Sequence, residues 1–108
     1  MAQRFSQLSA HRQALLRRCQ QIGYGEIRRF LVCDGEPVLT PDSEVLFDVK
    51  LGGGDGVRPE QSLSDFELRR EVVDLFAQMD SIQEGVLESL EIHAGMPRRI
   101  RFKLPVQN

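Results

Sequence analysis

The amino-acid sequence predicts an α+β fold built from a duplicated helix–strand–strand unit (αββαββ), with a four-stranded, mainly antiparallel sheet carrying two helices on one face. Three observations predict it. The stretch 22–37 recurs at 82–97, matching Ile22/Ile82, Gly25/Gly85, Ile27/Leu87, Phe30/Leu90, Val32/Ile92, Gly35/Gly95 and Pro37/Pro97 at a spacing of sixty. Each copy follows a segment of helical period, in which Leu8, Leu15, Leu16 and Cys19 match Leu68, Leu75, Phe76 and Met79. Each copy also precedes an alternating segment, Phe47-x-Val49-Lys50-Leu51 and Ile100-x-Phe102-Lys103-Leu104, at a spacing of fifty-three, with loop 39–43 holding the extra residues. One such unit cannot bury its own apolar faces, but two related by a pseudo-two-fold axis can share a core.

The first helix spans about 6–22, since Leu8, Leu15, Leu16, Cys19 and Ile22 make one apolar stripe. Arg12 interrupts that stripe where the second copy has Val72, which places its stem at the core edge. Gly23 and Gly25 end the helix. Residues 26–33 then change to a period of two, with Phe30 and Val32 on the core face and Ile27, Leu31 and Cys33 on the other. Asp34-Gly35 reads as a hairpin turn. Val45, Phe47, Val49 and Leu51 alternate with Leu46, Asp48 and Lys50, the pattern of a half-buried strand.

The glycine-rich stretch 52–61 reads as a linker between the halves. It lacks both GxxxxGK[ST] and GxGxxG, so a phosphate-binding loop is the weaker reading. Ser64 with Glu67 reads as a capping box and Leu63 with Leu68 as a hydrophobic staple, opening a helix with Val72, Leu75, Phe76, Met79 and Ile82 on its buried face. A third strand follows over 86–93, then a turn at Ala94-Gly95. In the last strand Ile100, Phe102 and Leu104 alternate with Arg99, Arg101 and Lys103. Phe30, Val32, Phe47, Leu75, Phe76, Leu90, Ile92 and Phe102 are the expected core.

A chain of 108 residues with 41% hydrophobic and 28% charged content suits a single domain, 1–108, with units at about 6–51 and 64–104. The longest apolar runs are three or four residues, too short to span a bilayer. The N-terminal residues carry no apolar core of a secretory signal. Cys19 and Cys33 lack CxxC or metal-ligand spacing, which points to reduced thiols and a cytoplasmic location. The net charge of −2 hides an asymmetry: 1–25 holds four arginines and no acids, whereas 60–85 holds seven acids against Arg69 and Arg70. Two solvated faces of opposite sign explain this without a ligand.

Three site readings follow. Ile27, Leu31, Cys33 and Leu46 form an apolar outer half-face, and exposed contiguous apolar area marks an interface with a protein partner or a second copy. Arg98, Arg99, Arg101 and Lys103 could meet a phosphate backbone. Against that, Glu91 is expected opposite Arg99, and no aromatic residue on that face could stack on a base. Cys33 and His93 occupy equivalent places in the two copies and could form a thiol–imidazole pair, although nothing in the sequence supplies an activating third group. Two histidines and no ligand cluster leave no basis for a metal or a cofactor.

The segment Leu15–Leu39, with Ile22-Gly-Tyr-Gly25 and Val32-Cys-Asp-Gly35, resembles the short YezD-like family of bacterial proteins. Those are single units of a helix, a Tyr-Gly turn and a strand ending in Asp-Gly. The resemblance covers about a quarter of this chain, which departs from it by having two units, Pro37 after the turn and no Tyr-Gly in its second copy. The family carries no assigned activity, so the resemblance implies a shared unit and no site residues. The function expected is therefore non-enzymatic protein–protein contact or self-association in a bacterial cytoplasm. Nucleic-acid binding is the first alternative and an accessory enzyme domain on Cys33 and His93 the second.

Overall fold

Ser9 opens the first helix, α1 (Ala10–Ile22), because its hydroxyl accepts the Arg12 amide at 3.2 Å while also donating to the Glu36 carboxylate. Helix α2 (Arg70–Ile82) has the same length of 13 residues. The two exits correspond: the Gly23 amide donates to the Cys19 carbonyl at 3.0 Å and the Gln83 amide to the Met79 carbonyl at 2.9 Å. The computed structural model describes residues 3–49, 51–52 and 65–103.

Helix α2 begins later than the capping box at Ser64 and Glu67 predicts. Ser64 and Leu63 lie outside the described residues, and Glu67 is extended, bridged to Arg4. The reason is a competing partner: the Phe5 amide donates to the Phe66 carbonyl at 2.8 Å and the Leu68 amide to the Gln3 carbonyl at 2.9 Å. Rings Phe5 and Phe66 stack with centroids 4.9 Å apart. The segment ahead of α1 is thus a short 3₁₀ turn, Phe5–Gln7, rather than helix.

Five strands, not four, form one antiparallel sheet: β1 (Gly25–Cys33), β2 (Glu36–Val38), β3 (Glu44–Phe47), β4 (Glu84–His93) and β5 (Met96–Lys103). The order is β2-β1-β4-β5, with β3 also pairing β1. The fifth strand is β2, formed at 36–38 where no strand is expected; residues 39–43 leave the ladder as the expected loop, and the strand expected over 45–51 pairs only as far as Phe47. Ser43 holds that loop in place, its amide donating to the Thr40 carbonyl at 2.9 Å and its hydroxyl to the Arg29 carbonyl at 2.7 Å. Register also corrects the alignment of the closing segments, since Val45 lies opposite Ile27 whereas Phe102 lies opposite Leu87. Phe47 falls opposite Gly25 at the strand end, and is 63% exposed instead of buried.

Both hairpin turns place two consecutive residues at positive φ, Asp34 at 52° with Gly35 at 76°, and Ala94 at 52° with Gly95 at 77°. That is the requirement of a type I′ turn, whose twist matches the strands it joins. Each turn is pinned to the opposite half: the Gly35 amide donates to the Gln83 carbonyl at 2.9 Å and the Gly95 amide to the Gly23 carbonyl at 2.8 Å.

The core lies between the central strands and the helices. Ile27, Phe30, Val32, Leu87, Leu90 and Ile92 are fully buried, joined by Leu15, Leu16, Cys19, Val72, Leu75, Phe76 and Met79. Ile27 on the helix face overturns its outward assignment. Arg29 takes φ 54°, the left-handed region, so Arg28 and Arg29 are both exposed and Ile27 and Phe30 both point inward. Across the centre Ile27 faces Leu90 and Phe30 faces Leu87. Strand β4 does the same, with Leu87 and Leu90 buried on either side of Glu88 and Ser89.

Candidate functional site

The outer face of the sheet is a set of cross-strand rows. One runs Leu46–Glu26–Glu91–Arg99, the next Glu44–Arg28–Ser89–Arg101, and a third Val38–Leu31–Val86–Lys103. Charges dominate the middle. Arg28 bonds Glu26 at 2.8 Å through Nε, the Ser89 hydroxyl donates to Glu26 at 2.7 Å, and Glu44 pairs with Arg29. The Ser89 hydroxyl first, then Arg28, hold the Glu26 carboxyl below the usual carboxylate range.

The apolar half-face drawn from Ile27, Leu31, Cys33 and Leu46 is therefore divided. Ile27 is in the core, and Leu31 and half-buried Cys33 stand at one end with Val38 and Val86. Leu46 stands at the other end, opposite Glu26, about 16 Å along the strand from Leu31. The basic set keeps its expected register. Arg99 lies opposite Glu91 with Nε 3.5 Å from the carboxylate, Arg101 faces Ser89, Lys103 faces Val86, and Arg98 is exposed nearby.

Cys33 and His93 are not brought together. Cys33 pairs with Glu84 at one end of the β1–β4 ladder, and His93 follows Ile92, which pairs with Gly25 at the other, about 26 Å away by strand rise. Because β1 and β4 pair antiparallel, the C-terminal ends of the two strands lie at opposite ends of the ladder. His93 instead lies 6.1 Å from the Tyr24 ring. Cys19 is buried on the core side of α1, and burial pushes its thiol up to about 12. It stays protonated and unreactive at neutral pH. Among the described residues, no three His, Cys, Asp or Glu side chains gather as metal ligands, and no helix is long and apolar enough to cross a membrane.

The exposed apolar surface lies where the sequence pattern placed a half-buried strand. Val45 is 38% exposed, Leu46 39% and Phe47 63%, and Val49 just beyond is also exposed. Strand β3 is an outermost strand, so it offers apolar side chains on both faces as well as one row of backbone donors and acceptors. Gly25 lets it approach: a Cβ there would sit 2.1 Å from the Leu46 carbonyl oxygen. A surface pocket of about 490 Å³ adjoins it, between Tyr24, Leu46, Phe47 and Asp48 on one side and Glu91 and His93 on the other. The period-two pattern announced β3 itself, but not the exposure of Val45, Leu46 and Phe47. Comparison of the chain with protein-family models, curated proteins and solved structures gives no match.

Proposed function

We propose that the protein acts through protein–protein contact, and that strand β3 is the contact surface. The observation that carries this is an edge strand with Val45, Leu46 and Phe47 all exposed and, within 44–47, only Glu44 to blunt it, with no lysine, proline or bulge. Unprotected edges pair with added strands, so natural sheets guard those that are not used. The polyanion reading of Arg98, Arg99, Arg101 and Lys103 has less support, because Glu91, 3.5 Å from Arg99, sets an acid beside the basic row.

We also infer that the chain is a duplicated helix–strand–strand unit whose first copy has a split closing strand. Equal helix lengths, reciprocal turn contacts at Gly35 and Gly95, and the pairing of Ile27 with Leu90 and Phe30 with Leu87 support the duplication. The elements resembling the YezD-like family are a helix exit and a hairpin turn, so the kinship proposed is one of supersecondary unit. The two free thiols suit a reducing cytoplasm.

A photo-crosslinking residue at position 47, compared with one at exposed His11, tests the contact reading in source cells. Adducts to protein at 47 and none at 11 are expected. Equal capture at both sites, or none at 47, overturns it.

A further inference from the structure

The two outer edges of this sheet are complementary to each other. Across β3-β1-β4-β5 every neighbouring pair is antiparallel, so β3 and β5 run in opposite directions. A second copy displaced along the sheet by simple translation therefore sets its β5 antiparallel to β3, with the helices of both copies on one face. Chemistry matches along that seam. On the outer face β3 and the residue after it carry Glu44, Leu46 and Asp48, and β5 carries Arg99, Arg101 and Lys103. On the helix face β3 carries Val45 and Phe47, and β5 carries Ile100 and Phe102.

One register satisfies four of these pairings at once, Glu44 opposite Lys103, Val45 opposite Phe102, Phe47 opposite Ile100 and Asp48 opposite Arg99, and sets Leu46 against the stem of Arg101. A further observation favours it. A groove of about 180 Å³ opens between α2 and β5, with Leu75, Pro97 and Ile100 as its apolar wall and Glu71, Asp74 and Gln78 also lining it, and this register sets Phe47 beside Ile100 at that groove. Pairing like edges is worse. Two β5 edges would oppose three cations with three, and two β3 edges would bring Glu44 and Asp48 of both copies onto one face.

We propose that the partner of the β3 edge is the β5 edge of a second copy of this chain, giving a head-to-tail antiparallel sheet continuous across copies. This rests on the reading of β3 as a contact surface and names its occupant. Such a contact is heterologous, and translation repeats it from copy to copy, so assembly is open-ended rather than a closed dimer.

Sedimentation of the full chain from ~10 μM to ~1 mM at low salt tests it. The average mass should rise steadily with concentration and fall as salt screens the seam. Glu44→Lys and Lys103→Glu should each weaken association roughly fivefold to thirtyfold, the swing between opposite and like charges placed across from one another. The double swap should recover native association to within about threefold. Glu44→Lys also breaks the pair with Arg29 inside each chain, and the double swap does not restore that pair, so recovery reports on the contact between chains alone. Phe47→Ser should abolish association with the helical circular dichroism signal unchanged. A monomer at ~1 mM, a species that stops at two, or singles not rescued by the double swap overturns the head-to-tail pairing. In that event, a crosslinker at 47 that captures a different protein leaves β3 a contact surface, and one that captures nothing removes both readings.

Discussion

Arg12 on α1 and Asp80 on α2 are joined by a 2.5 Å hydrogen bond from the guanidinium Nη2 to the carboxylate, and the same nitrogen donates to the Gly35 carbonyl at 2.9 Å. The guanidinium also lies 4.9 Å from the centroid of the Phe76 ring. One arginine therefore ties both helices to the first hairpin turn, with its side chain only 14% exposed. Val72, sixty positions on, is a buried small apolar residue of α2. Arg12→Ala should destabilise by about 2–3 kcal/mol, because the Gly35 carbonyl loses its charged donor and the stem loses its packing. Arg12→Met should recover roughly half, since it restores the packing of the stem but neither the bonds to Asp80 and Gly35 nor the pair with Glu36. Urea denaturation measures both, and an Arg12→Ala loss under ~0.5 kcal/mol would deny the seam its role.

Gly25 and Gly85 match in sequence but not in surroundings. A Cβ at Gly25 meets the Leu46 carbonyl oxygen at 2.1 Å and the Phe47 Cα at 2.7 Å, whereas at Gly85 it meets the Ile82 side chain at 3.2 Å. Backbone cannot move aside as a side chain can. Gly25→Ala should detach β3, with loss of amide protection at 45–47 and a cost on the order of 2 kcal/mol or more, while Gly85→Ala should cost less than about 1. Hydrogen exchange separates the two outcomes residue by residue.

Much of this arrangement is legible in the residues alone. Helical stripes such as Leu15, Leu16, Cys19 and Leu75, Phe76, Met79 name the buried faces directly, and Asp34-Gly35 names a turn through its backbone requirement. Ile27 misleads for a physical reason: alternation assumes unbroken pleating, and a single left-handed residue at Arg29 shifts every position before it by one. Arginine at positive φ carries no compositional signal, as glycine would. Phe47 misleads differently, because a period of two tells which residues share a face and not whether anything covers that face. The pairing of 65–68 with 3–5 depends on contacts between segments sixty residues apart, which outweighed a sound local capping signal at Ser64 and Glu67.

Asp65 accepts from Arg4 Nε at 2.9 Å and from the Ser6 amide at 2.8 Å, and the Arg4 bond foremost lowers its carboxyl to about 2. The folded value is depressed below the ordinary 3.8, so the stabilisation is complete above that value and disappears as pH falls toward 2. Asp65→Asn should remove it at every pH. Native and variant stabilities should therefore differ at pH 5–7 and converge as the pH approaches 2. A constant difference down to that pH would mean that the carboxylate does not tie residues 3–8 to the start of α2.

Arg29 sets which residues face the core, and its conformation is the feature most open to direct challenge. A non-glycine residue in the left-handed region is strained by about 1–2 kcal/mol. Arg29→Gly should relieve that strain and lose only the exposed pair with Glu44, a contact of small worth. The variant should match or exceed the native stability by up to ~1 kcal/mol, whereas the β-branched Arg29→Val should lose about 1–2. Removing the residue outright should turn Ile27 out of the core and abolish folding, since a one-residue slip inverts every side chain ahead of it. The burial that Arg29 imposes gives an independent reading: Ile27→Ala should cost about 2–5 kcal/mol, and Leu31→Ala, four positions on at the surface, under about 1. Equal and small losses at both sites, together with a destabilised Arg29→Gly, would restore regular alternation to β1 and return Ile27 to the outer face.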